Sequence, residues 1–200
     1  MTSLSSIVTG STMSAPRVLL YGPAGVGKTT FGASAPAPIF IQTEDGADVV
    51  GADRFPVAES YQDVETAIGT LAKEDHQYGT VVVDSLDWLE TLIWQRVCQV
   101  HKCNSIEDLG YGKGYVHAVD IWRSFLDGLN HLRKNKGMAV IMLAHSHIKR
   151  FEDPAGEAYD RYEIKLHRKA SDVCMESADL IGFATYRVST KEVDGGFGRK

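Results

Sequence analysis

Residues Arg17 to Thr30 read RVLLYGPAGVGKTT, a short apolar run, a glycine-rich turn and a Lys-Thr-Thr ending able to open a helix. Gly22, Gly27, Lys28 and Thr29 fit the spacing G-x-x-x-x-G-K-[ST], with Pro23, Ala24, Gly25 and Val26 in the interval and Thr30 following. These residue types suit a polyphosphate. Glycines let the backbone wrap closely, so that successive N–H groups and the start of the following helix face a phosphate. Lys28 supplies a mobile charge, and the Thr29 hydroxyl is a hard ligand for Mg2+. ATP and Mg2+ are therefore the expected ligands. The competing reading is a glycine-rich turn that binds nothing, and the placement of the pattern between a strand and a helix speaks against it.

Working outward, Thr29 to Ala35 continues as a helix until Pro36 and Pro38 stop it, and Ile39 to Gln42 (IFIQ) is a second strand leading into Thr43, Glu44, Asp45 and Gly46. Tyr61 to Glu74 carries Val64, Ala67, Ile68 and Leu71 at helical spacing. Thr80 to Val83 is a third, buried strand ending at Asp84. Leu86 to Val100 is helical, Leu109 to Tyr115 is a glycine-rich loop, and Val116 to Leu132 is a further helix. Met138 to Ala144 (MAVIMLA) is a fourth strand ending at His145. From Ile148 to Ala170 the charged sequence, with Pro154 and Gly156, reads as loops or a solvent-facing hairpin. Leu180 to Val188 is a fifth strand, and Asp194 to Lys200 a turn. Continuous apolar strands alternating with helices indicate a mainly parallel α/β sheet covered on both faces. Ligands then gather beyond the strands' C-terminal ends, where the loop, Glu44, Asp84 and His145 all fall.

The 200 residues bound one domain, read as a flexible tail over 1–15 and an ATPase core over 16–200. No apolar run approaches a membrane span, and the tail lacks the layout of a secretory signal, so neither a membrane role nor export is expected. The three cysteines are unpatterned, which suits a reducing compartment; Cys98, His101 and Cys103 lack a fourth zinc ligand at a familiar spacing. A net charge of −5 excludes a surface that grips nucleic acid everywhere, and any such contact is local.

Asp84, closing an apolar strand, sits where a carboxylate helps Thr29 hold magnesium; Asp87, inside the next turn, is a weaker substitute. Many P-loop ATPases place a glutamate directly after such an aspartate, but here that neighbour is Ser85. Glu44 is then the candidate for orienting the attacking water, its alternative being a solvated loop acid. His145 is a candidate γ-phosphate sensor, its alternative being a strand cap.

Four stretches together resemble the RecA-like ATPases: GPAGVGKTT at 22–30, IFIQTED at 39–45, TVVVDS at 80–85 and MAVIMLAHS at 138–146. They are most similar to the short core-only forms of bacteriophages, the AAA-type phage nucleotide-binding proteins linked to recombination and single-strand annealing. GYGKGY at 110–115, the Ala144-His145 pair and GFGRK at 196–200 add to the likeness. The resemblance implies a three-layer core with strand order 5-1-4-3-2 and an ATPase with Lys28, Glu44 and His145 as its catalytic set. His145 would relay nucleotide state. Single-stranded DNA would meet the loops after the fourth strand at Lys149, Arg150, Lys165, Arg168 and Lys169, with Phe151, Tyr159 and Tyr162 available for stacking. Nearby acids nearly cancel those charges, so a solvated charged loop is the competing reading. Also implied are a homo-oligomeric ring or filament, Lys113 and Arg187 as contacts to a neighbour's nucleotide, a single-strand-binding protein as partner, and residence in the bacterial host cytoplasm. His145 stands where RecA itself usually has glutamine, and the chain lacks a full recombinase's flanking domains; ATP use is the firmer implication, strand exchange the weaker.

Two other functions remain open on the residues alone. A P-loop kinase for a small molecule or nucleotide would use 149–169 as a lid and differ in strand order. A nucleotide-gated accessory module would be indifferent to Glu44→Gln.

Overall fold

In the computed structural model, which describes residues 14–46, 51–187 and 189, a seven-stranded sheet carries helices on both faces. The strands are β1 (Arg17–Gly22), β2 (Pro38–Gln42), β3 (Asp53–Arg54), β4 (Thr80–Asp84), β5 (Ala139–Phe151), β6 (Tyr159–Ile164) and β7 (Leu180–Phe183). Their order is β3-β2-β4-β5-β1-β7, with β6 paired to β5 off this path. All pairings are parallel except β5 with β6. With the short edge strand β3 set aside, this is the expected order 5-1-4-3-2, and β5 lies between the strands that lead to Lys28 and to Asp84.

The two faces are unequal. One is covered by α2 (Tyr61–Lys73), α3 (Leu86–His101), α4 (Lys113–Lys136) and α5 (Arg168–Ser177), whose apolar sides close on Leu19, Ile41, Val83 and Met142 of the sheet. Helix α2 illustrates the local cause. Ser60 and Asp63 form a reciprocal capping box at its start, and Val64, Ala67, Ile68 and Leu71 make a single buried stripe. On α4, Trp122, Phe125 and Leu129 are fully enclosed, and Gly137, with φ +69°, ends the helix in the left-handed conformation that favours glycine. The opposite face buries the smaller set Phe40, Val82, Ile141 and Leu143 beneath α1 (Lys28–Ala33).

Several boundaries move. The fourth strand does not stop at Ala144: β5 runs on to Phe151 and turns into β6, so the charged region is the hairpin of the two alternatives. Cross-strand pairs Lys149–Glu163 at 3.3 Å and Arg150–Asp160 at 3.6 Å explain how so polar a sequence holds strand geometry. Beyond it, α5 occupies residues for which the sequence suggests no helix. Its fully buried residues are Ala170 and Cys174, with Val173 and Met175 half-buried against the core, a short apolar set interrupted by Ser171 and Asp172. Helix α4 takes in Lys113 to Tyr115, leaving Gly110 to Gly112 as the turn. The fifth strand ends at Phe183, not Val188. Ala15 and Pro16 are tied down, their carbonyls accepting the Arg133 Nε–H and the Val140 N–H. The 194–200 turn and residues 1–13 lie outside the described residues. Among the described helices none is long and apolar enough to cross a membrane.

Candidate nucleotide site at the C-terminal edge of the sheet

Because β1, β2, β4 and β5 run parallel, whatever follows each of them arrives at one edge. After β1 the loop turns through Gly25 and Gly27, with φ of +75° and +97°, a region that strains any residue bearing a Cβ. Lys28 begins α1 immediately afterwards. It is only 6% exposed, and its Nζ folds back over the loop to the carbonyls of Gly22 at 3.1 Å and Pro23 at 3.0 Å. Burial lowers its pKa, while Asp84, Asp87 and Glu44 pull the other way. With neutral carbonyls as its hydrogen-bond partners, the ammonium keeps its charge for an anion in the loop.

Thr29 and Asp84, the two residues expected to serve magnesium, meet directly: the Thr29 hydroxyl donates to Asp84 Oδ2 at 2.7 Å. Burial raises the Asp84 pKa and Glu44 adds to the rise, against the Thr29 bond and the nearby Lys28 and His145. A hydroxyl and a buried carboxylate side by side form a hard-oxygen pair, which fits Mg2+. The glycine-lined loop and Lys28 fit the phosphates.

Thr43, unremarked in the sequence, fixes the opposite wall. Its hydroxyl donates to the Ser85 carbonyl at 2.6 Å and accepts the Ser85 N–H at 2.9 Å, while its own N–H donates to the Asp84 carbonyl at 2.8 Å. The Asp84–Ser85 peptide is cis. This stitch places the next residue, Glu44, beside the edge, with Oε1 3.8 Å from His145 Nδ1. His145 is itself in register with Gly22 at the start of the loop.

Asp87 is the functional residue that sequence reasoning undervalues. It holds His145. Oδ1 accepts the His145 backbone N–H at 3.0 Å, and Oδ1 and Oδ2 lie 3.1 and 3.0 Å from Nδ1. A carboxylate only accepts, so the ring carries its proton on Nδ1. The bond to Asp87 raises the His145 pKa, and burial opposes it. Burial pushes Asp87 up, but the His145 side-chain and backbone bonds outweigh it and leave the carboxyl below its ordinary value. The available signal was an acid in the first turn of a helix that follows a site strand.

The residues expected at DNA divide. Lys149, Arg150 and Arg168 line a groove of about 650 Å³ between the hairpin and α5, together with Arg161, Tyr162 and Tyr21. Lys149 and Arg150 are engaged by Glu163 and Asp160, and the Arg161 guanidinium lies 3.9 Å from the Phe151 ring centroid. Lys165 lies next to His145 and Asp87: its N–H donates to the His145 carbonyl at 2.8 Å and its Nζ is 3.9 Å from Asp87 Oδ2. Lys169 sits in the first turn of α5. One turn beyond Asp87, the buried Glu90 accepts the His167 N–H at 3.0 and 3.1 Å and so fastens the segment after β6 to α3.

The chain is similar to the SPbeta prophage-derived uncharacterized protein YorG of Bacillus subtilis (strain 168), with 24% identity over 155 residues that make up 74% of this chain and 45% of YorG. The chain thus spans less than half of that relative's length. The sequence profile of the AAA domain matches residues 14–199, a range that includes every element around the phosphate loop. The chain belongs to the AAA domain family of P-loop ATPases.

Proposed function

We propose that the protein binds ATP with Mg2+ at this edge, hydrolyses it, and spends the turnover on single-stranded DNA in phage recombination or annealing, as an assembly of copies in the host cytoplasm. The observation that carries the reading is the facing of two walls: Lys28 with the Thr29–Asp84 pair on one, and Glu44 with His145 and Asp87 on the other. Lys28 balances phosphate charge, and Thr29 and Asp84 supply the oxygens for the metal. Magnesium, when bound, neutralises charge on the phosphate oxygens. Glu44 orients the attacking water and takes its proton. Asp87 holds the His145 ring through its Nδ1–H, and Glu44 stands beside that ring, with Oε1 3.8 Å from the same nitrogen.

The prophage origin printed for the relative supports the phage setting. The strand order, with β5 between the strands of Lys28 and Asp84, weighs against the kinase alternative. Phe151, Tyr159 and Tyr162 beside basic residues support the DNA arm. The cross-strand ion pairs favour a second reading, in which the hairpin docks a protein and the ATPase is protein-gated.

The deciding experiment is steady-state phosphate release with Mg2+, with and without single-stranded DNA. Lys28→Ala should remove the activity, and Glu44→Gln should lose about 100-fold in rate while still binding ATP. Stimulation by DNA supports the recombination reading, indifference to DNA transfers the weight to the protein-gated one, and an unaffected Lys28→Ala rate ends both.

A further inference from the structure

The chain beyond β7 passes back over the phosphate loop. The Ala184 N–H donates to the Tyr21 carbonyl at 2.8 Å, prolonging the β1–β7 pairing by a residue, and the Ala184 carbonyl packs so closely on Gly22 that a Cβ there would collide with it. Two residues later Tyr186 reaches the loop's apex. Its hydroxyl lies 3.4 Å from where a Cβ on Gly25 would stand, yet the residue is 60% exposed. The hydroxyl end therefore lies against the turn and much of the ring is left to solvent.

Sheet order says which end of a bound nucleotide comes here. Asp84 ends β4, Glu44 follows β2 and His145 lies within β5, all on one side of β1, whereas β7 is on the other. A polyphosphate held by the loop with its reacting end toward Asp84 and Glu44 directs its nucleoside end toward β7. Nothing in the hydrolytic arrangement uses that side.

We propose that Tyr186 is the nucleoside platform of this site, taking the base of a nucleoside triphosphate against its exposed ring. The proposal rests on the nucleotide-binding reading above. Stacking on a tyrosine is open to any base, since each has a π-face, so the contact supplies affinity for nucleotides as a class over bare polyphosphate.

The test compares two probes by calorimetry on the full chain in Mg2+: a non-hydrolysable ATP analogue and inorganic tripolyphosphate. The wild type should prefer the analogue. Tyr186→Ala should weaken the analogue about tenfold and leave tripolyphosphate within about twofold, and Tyr186→Phe, which keeps the ring, should behave as wild type. Results in the variants that overturn the proposal are an equal loss for both probes in Tyr186→Ala, which makes the residue a loop support; no loss for either; a Tyr186→Phe defect as large as that of alanine; or loss of the preference in Phe31→Ala instead, since Phe31 is also half-exposed, one residue past Thr30. Wild type binding tripolyphosphate but showing no preference for the analogue sinks the platform and spares the loop. Wild type binding neither removes the nucleotide reading itself.

Discussion

Asp87 grips His145 at two points, accepting its backbone N–H on Oδ1 at 3.0 Å and its ring Nδ1–H from 3.0 Å on Oδ2. Asp87→Asn keeps an acceptor for the backbone but presents an amide N–H to the ring and reverses the tautomer. Phosphate release should fall about 10- to 100-fold, with ATP affinity changed less than about twofold. Equal losses in affinity and turnover would show that Asp87 supports the loop and not His145.

The same pair gives a pH signature. His145 holds its proton more tightly in the folded chain, so its contribution to stability is complete below about pH 6.5 and disappears as pH rises through the raised folded value. Asp87 has the opposite limb: its contribution is present above about pH 3.9 and is lost as pH falls through the depressed folded value. The unfolding free energies of wild type and Asp87→Asn, from urea titrations, should therefore differ most near pH 5 and less at pH 9. A gap of the same size at both would mean that ionisation of His145 plays no part.

Thr43→Val removes a hydroxyl that serves both the N–H and the C=O of Ser85 in a buried position. The isosteric side chain keeps the packing and leaves the Ser85 N–H unpaired, while the Ser85 carbonyl retains the Leu89 N–H at 3.0 Å, at a cost of about 1–3 kcal/mol. Urea unfolding measures it. Because the stitch also sets Glu44 beside Asp84, turnover should drop further than the stability loss explains at temperatures where the variant is fully folded.

Glu90 should make the folded chain weaker as pH rises from mildly acidic to neutral. Burial raises its pKa to about 7, Asp87 adds to the rise, and the bond from the His167 N–H opposes them. Between about pH 4.3 and the folded value the unfolded chain has released this proton and the folded chain has not, so stability falls as pH rises across that interval. Glu90→Gln still accepts the His167 N–H and lacks the titration. Its advantage over wild type should grow from pH 5 to pH 7 and then level off; a flat difference would place the Glu90 pKa at its ordinary value.

The phosphate loop is legible in the sequence because its chemistry is local: nine consecutive residues carry the spacing, the glycines and the cation. The parallel core is legible because VVV at 81–83 and MAVIMLA at 138–144 are apolar throughout, as only a doubly covered strand requires. Asp87 is not, since its partner lies 58 residues away and nothing near it names a histidine. Thr43 is hidden for the same reason, its two bonds reaching 42 residues along the chain. The end of β5 escapes because Lys149 and Arg150 look like loop residues until β6 brings Glu163 and Asp160 within ion-pair reach of them. Helix α5 escapes because it is short and its apolar residues Val173, Cys174 and Met175 sit among Ser171, Asp172, Glu176 and Ser177.

β5 is a single unbroken strand of 13 residues, with its first part clamped between β4 and β1 and its second part projecting with β6 beyond them. His145 stands at the point where the clamp ends. A projecting beam gives at its root before anywhere else, and here about 20 Å of rigid arm, six residues at some 3.3 Å each, acts on that root. A sideways push at the tip beside Phe151 is thus delivered as torque on the residue that faces Glu44, with no joint along the way to absorb it.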